Sequence, residues 1–456
     1  MGFLLFVLML VLEIGFLIFS MIRQGEKKQW IRNRCLVDGI EFALFLLLCL
    51  FRVADLGIRF KLFFIYLIIR LLLSVIIYLI KVKKTEGMKR KAGMIGSILL
   101  CMVLTLISLV PSFIFTGYQG TTNSGTHPVA TAKAILIDES REEGFEQDGS
   151  KREIPAYFFY PEDAQDGDSY PLILFSHGAF GYYQSNTSTY TELASNGYVV
   201  ISLDHPYHSF YTKDTTGKTI TVDPTFINNA IYINNNNVDG DEVLALSSDW
   251  VKIRKDDMKF VIDTVKKAVS DGALSDEWFL GQKDTQTQKN QILDVLNVTD
   301  CDRIGLMGHS LGGAAAVNLG RERQDIAAVI DLDGTMLGEE TGYENGAYLF
   351  NEDPYPLPLL SIDNESHYKD GQTAGSYYVN NVIIDRAVQG HHTYIINSGH
   401  MNFTDLPLFA PPLAKLLGVG TVDAKHCIDT TNEIVLSFMN YYVKQEGTLN
   451  IQESYE

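Results

Sequence analysis

Apolar positions fall along this chain in two regimes. Before residue 117 they run almost unbroken in four stretches, about 3–22, 36–54, 62–80 and 94–116. Each is long enough to cross a bilayer as a helix. From about residue 132 they come instead in short bursts: Pro171–Phe175, Tyr198–Leu203, Arg303–Met307, Ala327–Leu332, Leu357–Ile362 and Thr393–Ile396. Short, strongly apolar runs are what strands buried on both faces require. Ala132–Asp138 and Ile154–Tyr160 precede them as a candidate antiparallel pair. Helical patterns at about 187–196, 246–270, 311–323 and 430–444 separate most of the bursts. Strands alternating with helices predict an α/β fold with a mostly parallel central sheet and helices on both faces. The predicted organisation is a transmembrane helical anchor of about four spans (1–117), a Gly/Ser/Thr-rich linker (118–131) and the α/β domain (132–456). Residues 212–240 and 272–296 are polar insertions, expected as loops, and no internal repeat occurs.

Charge divides the chain at the same place. Of its 456 residues, those before 119 hold 15 Lys and Arg against 6 Asp and Glu; the remainder holds 22 against 49. So acidic a body excludes nucleic acid as a partner, because phosphate neutralisation needs clustered cations. Two loops concentrate the basic residues. One carries Arg23, Lys27, Lys28, Arg32 and Arg34; the other carries Lys81, Lys83, Lys84, Lys89, Arg90 and Lys91. Only Arg52, Arg59 and Lys61 lie between the second and third stretches. The positive-inside rule then puts both basic loops in the cytoplasm and the α/β domain outside a multi-pass cell membrane. The first stretch lacks a basic n-region and a small-residue cleavage site, so it is expected to be a retained span. Glu13, Asp38, Glu41 and Arg70 are the ionisable residues in or beside the spans. End-caps are expected for Asp38 and Glu41, and a single interhelical pair for Glu13 with Arg70, leaving the region an anchor. Of five cysteines, Cys301 and Cys427 are the two that could pair, and no zinc-type Cys/His spacing exists.

The chemistry is carried by Gly308-His309-Ser310-Leu311-Gly312-Gly313. It follows an apolar run and leads into Ala314-Ala315-Ala316, so it predicts a strand, a strained turn and a helix, with the Ser310 hydroxyl held clear at the helix N-terminus. His309 belongs to that turn and is expected to point elsewhere. A serine hydroxyl needs a base, an orienting acid and an oxyanion hole. In the α/β-hydrolase arrangement the acid and then the histidine follow the serine. His400, in the loop after the last predicted strand, stands where the base belongs. His391 and His392 are read as lying before that strand, and His367 and His426 as less suitable still. The acid has two positions open to it. Asp333 ends the strand after the elbow helix, whereas Asp363, with Glu365, ends the next one; Asp331 is read as structural. One oxyanion donor is the backbone N–H of Leu311. The other is that of Ala179, in the Ser176-His177-Gly178-Ala179 loop after an early strand.

Four segments together resemble the plasma and type II platelet-activating-factor acetylhydrolase branch of the α/β-hydrolases. They are Phe175–Ala179, Gly308–Gly313, Leu332–Gly334 and His400–Asp405. The resemblance covers about residues 132–445 and implies a triad of Ser310, Asp333 and His400, with Asp363 in reserve. It implies a carboxylic ester hydrolase acting on short or oxidised acyl chains of a lipid-like alcohol, with no metal or organic cofactor. One departure is Asp333-Gly334-Thr335-Met336, which lacks the aromatic residue the family carries there and so bears on the acyl pocket. Two other classes fit the same fold: a non-catalytic receptor or assembly module, and a peptidase. A non-catalytic module usually lacks a triad member. Prolyl peptidases usually place the acid one strand later and carry a large gating domain.

Overall fold

The computed structural model describes residues 1–22, 26–118, 120–235, 238–280 and 284–456. Arg23 of the first basic loop, Gln119 of the linker, and residues 236–237 and 281–283 of the two polar insertions lie outside the described residues. The chain divides into two compact units, Met1–Gln119 with Leu408–Leu413, and Gly120–Pro407 with Ala414–Glu456.

The first unit contains four long helices: α1 (Gly2–Ile22), α2 (Lys27–Leu50), α3 (Ile58–Lys81) and α4 (Lys91–Ile114). Three of them, α1, α3 and α4, are long and apolar enough to cross a membrane. The α2 helix is as long as α3 but carries more charge. Its Arg34, Asp38 and Glu41 recur at spacings of four and three, so they share one face. That face meets Glu13 of α1 and Arg70 of α3. Arg34 bonds Glu13 at 2.6 Å and Asp38 at 3.0 Å. Arg70 bonds Glu13 at 2.8 Å, Asp38 at 2.6 Å, and Glu41. End-caps and one isolated pair were expected; a single five-member network stands instead. Isolated buried charges are costly and clustering lets each compensate the next. Lys27 N–H donates to Gly87 O at 2.9 Å and Lys89 lies over the Trp30 ring, so the two basic loops occupy the same end of the helices.

Among the described residues the central sheet of the second unit has nine strands: β1 (Val129–Glu142), β2 (Lys151–Pro161), β3 (Tyr170–Ser176), β4 (Val199–Leu203), β5 (Thr299–His309), β6 (Ile326–Leu332), β7 (Tyr355–Asn364), β8 (Ala387–Ile395) and β9 (Ser454–Tyr455). Their order is β1-β2-β4-β3-β5-β6-β7-β8-β9. The β1–β2 and β2–β4 pairs are antiparallel and every later pair is parallel. The fold is therefore the mostly parallel α/β sheet that the apolar bursts predict. Alternation sorts each strand between two cores. Leu172 and Leu174 of β3 join one core with Met258, Val261, Ile292 and Ala315, while Ile173 and Phe175 join the other with Tyr190, Val435 and Phe438. The helices behind the first core are α7 (Gly240–Asp271), α8 (Thr285–Asn297) and α9 (Leu311–Glu322). Those behind the second are α5 (Thr187–Ser195) and the later Ala424–Met439 helix.

Three sequence expectations change. Strand β8 begins at Ala387 rather than Thr393, so His391 and His392 lie within it, in register with Leu360 and Ser361 of β7. Its Gln-Gly-His-His stretch hides the strand because β8 is near the sheet edge, where only the short β9 covers it. Neither polar insertion is a plain loop: 212–240 holds a hairpin (Tyr211–Lys213 with Thr219–Thr221) and helix α6 (Pro224–Asn235), and 272–296 holds a 3₁₀ turn (Asp276–Phe279) and most of α8. Finally, Cys301 and Cys427 are both free thiols.

Candidate active site

Strand β5 ends at His309 and α9 begins at Leu311, leaving Ser310 alone at the corner with φ 54° and ψ −125°. L-residues rarely adopt that conformation, and it persists only where the surroundings impose it. Here Ser310 N–H donates to Leu332 O at 2.8 Å. A Cβ on Gly308 would stand 2.2 Å from the Gly312 carbonyl carbon, and one on Gly312 would stand 2.0 Å from Ser176 O. Neither position admits a side chain, which is the physical content of the glycines flanking the serine.

Asp333 follows β6 at φ 52°, anchored by its N–H to Ile362 O at 2.9 Å. Its buried carboxylate is saturated with donors. Asn364 supplies its backbone N–H at 2.7 Å and its amide at 2.9 and 2.7 Å. His400 Nδ1 lies 2.6 Å from one oxygen and His367 Nδ1 3.1 Å from the other. Burial alone would raise the Asp333 pKa, but the bonds to His367 and His400 outweigh it and hold the group well below the usual carboxylate range. His400 opens a short 3₁₀ turn after β8, and its ring packs on His309 with centroids 4.7 Å apart. His309 therefore does not point away. Its Nε2 lies 3.3 Å from His400 O, and burial, with His400 beside it, pushes it down to about 3, leaving it neutral.

Asp363 is not brought to His400. It accepts from Ser361 Oγ at 2.9 Å and from His392 Nε2 at 2.7 Å. Asp331 packs against Gly313 and Gly334, where burial foremost and then Asp363 raise its pKa. Asp333, Asp363 and His367 approach one another closely enough to suggest metal ligands. Each of their carboxylate oxygens and ring nitrogens already has a hydrogen-bond partner: Asp363 has Ser361 and His392, while Asp333 and His367 share a network with Asn364, His400 and Tyr378.

Ser310, Asp333 and His400 line one cavity of about 570 Å³ together with Ala179 and Leu311. No hydrogen bond joins Ser310 Oγ to His400 among the described residues; such contacts often tighten only with substrate bound. Leu311 N–H is the first of α9, where no intrahelical acceptor exists. The Ala179 loop is fixed from behind by Arg254 of α7. Its guanidinium is fully buried and donates to His177 O and, at 3.3 Å, to Gly178 O. Burial pulls that guanidinium down to about 9, still charged at neutral pH. Beside it runs a second Ser–His–Asp chain, Ser176 Oγ to His205 Nε2 at 2.8 Å and His205 Nδ1 to Asp257 at 2.9 Å. All three residues have zero exposure, so no substrate reaches them and the chain braces the loop.

Several lining residues were not legible in the sequence. Phe226 of α6 meets Trp250 of α7 edge-on at 5.0 Å, and both wall the cavity. Asn364 could have been found as the N-cap of helix α10 (Glu365–Ala374), since Asn before a helical pattern is a cap signal. His367 then follows three residues later, on the first turn.

A central parallel sheet with a serine at a strained strand-to-helix corner, an acid after the next strand and a histidine in the last loop defines an α/β-hydrolase. The solved ferulic acid esterase from Streptomyces cinnamoneus shares the fold, with a TM-score of 0.50 and 20% identity over 73% of this chain and 95% of that one. Residues 153–452, about two thirds of the chain, match the family model of platelet-activating factor acetylhydrolase, isoform II, and the chain belongs to that family. It is 23% identical over 305 residues to platelet-activating factor acetylhydrolase of Cavia porcellus, covering 64% of this chain and 61% of that protein. It is 24% identical over 303 residues to a protein of Arthroderma benhamiae named as a probable 1-alkyl-2-acetylglycerophosphocholine esterase, covering 62% and 64%. The chain thus spans about three fifths of the length of the curated relatives it matches.

Proposed function

We propose that the chain is a membrane-anchored serine hydrolase that cleaves short acyl esters from a lipid-like alcohol. The observation that carries this reading is the shared cavity of Ser310, His400 and the His400-bonded Asp333 in a member of this family. Ser310 attacks the ester carbonyl as His400 takes its proton. Asp333 holds the imidazole tautomer and stabilises the imidazolium that forms. The N–H groups of Ala179 and Leu311 bind the oxyanion, each worth roughly 3 kcal/mol. Collapse expels the alcohol with a proton from His400, and water deacylates Ser310 through the same base.

The alcohol is read from the relatives' names, which specify an acetyl ester of an alkyl glycerophosphocholine. The short acyl chain is read from the same names, and Phe226 and Trp250 wall the cavity that holds Ser310. Full-length protein in detergent is expected to hydrolyse sn-2-acetyl glycerophosphocholine with kcat/KM about 10- to 200-fold above its sn-2-palmitoyl counterpart. It is also expected to be labelled by a fluorophosphonate. Equal or better hydrolysis of the palmitoyl ester would overturn the short-acyl reading, and a folded protein that neither labels nor turns over would overturn the enzyme.

The anchor comprises 1–117 with all four helices spanning, joined through 118–131 to a catalytic domain at 132–456. Pairing of the α2 charges with Glu13 and Arg70 supports counting α2 as a span. An even number of spans, with the basic loops inside, puts the hydrolase domain outside the cell. With the five native cysteines replaced by serine, a membrane-impermeant maleimide should therefore label Asn450→Cys on intact cells and label Lys83→Cys only after lysis. The opposite pattern would invert the orientation.

A further inference from the structure

Arg254 is a cation in a place that gives it no carboxylate. It is fully buried on α7, and among the described residues no acid stands within ion-pair distance of it. Asp257, one turn along the same helix, is taken by Arg152 at 2.7 Å, His205 at 2.9 Å and Arg141 at 3.0 Å. A buried charge without a counterion costs stability. What Arg254 has instead is two backbone carbonyls, His177 O and Gly178 O, of the loop that carries Ala179. We propose that Arg254 is a positioning residue of the oxyanion hole, fixing the orientation of the Gly178–Ala179 peptide and so aiming the Ala179 N–H at the ester oxygen. This rests on the serine hydrolase reading above.

The effect passes through one planar unit. A trans peptide sets its C=O and its N–H in opposite directions, and no cis bond occurs among the described residues. Whatever holds Gly178 O therefore also aims Ala179 N–H. Three donors converge on that oxygen: His177 Nδ1 at 2.7 Å, Gly181 N–H at 3.1 Å and Arg254 Nη2 at 3.3 Å. The first two belong to the loop itself and would travel with it. Arg254 ties the oxygen to the scaffold, from 76 residues away on a 32-residue helix, while its other arm holds the preceding carbonyl. The loop also lies directly against the nucleophile's corner. A Cβ on Gly178 would stand 2.7 Å from His309 Nδ1 and 3.3 Å from Ser310 Cβ, and Ala179 lines the cavity with Ser310 and Leu311. Turning the peptide over would set its N–H against the guanidinium and present a carbonyl oxygen where the oxyanion forms, so the cation disfavours that state. It also polarises the peptide it bonds, strengthening the N–H as a donor.

The test compares wild type, Arg254→Lys and Arg254→Met as full-length protein in detergent, with thermal unfolding followed on each. Turnover of p-nitrophenyl acetate is inhibited with an alkyl trifluoromethyl ketone and with the matching alkyl methyl ketone. Ser310 Oγ adds to the fluorinated carbonyl as His400 takes the proton, leaving an oxyanion in the hole; the methyl ketone binds as the carbonyl. Arg254→Met is expected to lose about 100-fold in kcat at unchanged KM, the cost of one misaligned donor. The trifluoromethyl ketone should weaken by the same factor and the methyl ketone should not. Lysine keeps the charge but not the fork that spans two carbonyls, so Arg254→Lys should lose about tenfold. A merely structural arginine would lower the unfolding temperature without separating the two ketones. A folded Arg254→Met protein with the kcat and trifluoromethyl ketone affinity of wild type would overturn the inference. Should Arg254→Met not fold, the same result for Arg254→Lys would overturn it, and so would failure of both to fold, which would assign the residue to the fold alone. A wild type that neither turns over the ester nor binds the trifluoromethyl ketone would instead sink the hydrolase reading itself.

Discussion

Ser310→Ala is expected to abolish ester turnover, lowering kcat by about a million-fold while leaving the fold intact. The loss is that large because the serine, the base and the acid act as one unit; without the nucleophile, only binding and the oxyanion donors remain. The fold should survive because Ser310 Oγ has no hydrogen bond among the described residues, and alanine meets the same backbone requirement at φ 54°. The corner is held by Ser310 N–H to Leu332 O and by the close contacts of Gly308 and Gly312, none of which involves the hydroxyl. Burst kinetics with p-nitrophenyl acetate, fluorophosphonate labelling and circular dichroism on the same sample check all parts of the statement. A folded Ser310→Ala protein with undiminished turnover would refute the assignment of the nucleophile. Ser176 would not replace it without a rearrangement, since it and its partners His205 and Asp257 have no exposure.

What the sequence made legible follows from what each feature depends on. The parallel sheet was legible because strands buried on both faces must be apolar nearly throughout, and Leu172–Phe175 and Ile326–Ile330 are. The corner at Ser310 was legible because steric crowding admits only glycine at positions 308 and 312. Strand β8 was misjudged at its start, where His391 and His392 sit near an edge that asks for no apolar residue. Asp333 and Asp363 both end strands at the same edge of the sheet, so position alone could not separate them. What distinguishes them is the Asn364 side chain and the two histidines converging on Asp333, contacts made across 31 to 67 residues of chain. His367 was set aside for the same reason. Its part depends on helix α10 turning it back toward β6, which no local pattern announces. By length and hydropathy α2 does not qualify as a span, although its Arg34, Asp38 and Glu41 face partners rather than solvent.

Asp333→Asn is the second largest expected effect, a fall in kcat of about ten-thousand-fold with KM little changed. The amide nitrogen introduced at position 333 would present hydrogens where His400 Nδ1–H now finds an acceptor. The imidazole would then flip its tautomer and offer a proton, not a lone pair, toward Ser310. Asp363→Asn gives the contrast. Its carboxylate accepts from Ser361 and His392 and touches neither His400 nor the serine. Kinetics should therefore change by less than about tenfold, with the cost falling on thermal stability through the His392 contact. Running both variants against wild type with p-nitrophenyl acetate separates the two acids directly. Were Asp363→Asn the crippled protein and Asp333→Asn the active one, the acid would belong one strand later. The doubly bonded Asp333 would then be a structural clamp between two loops.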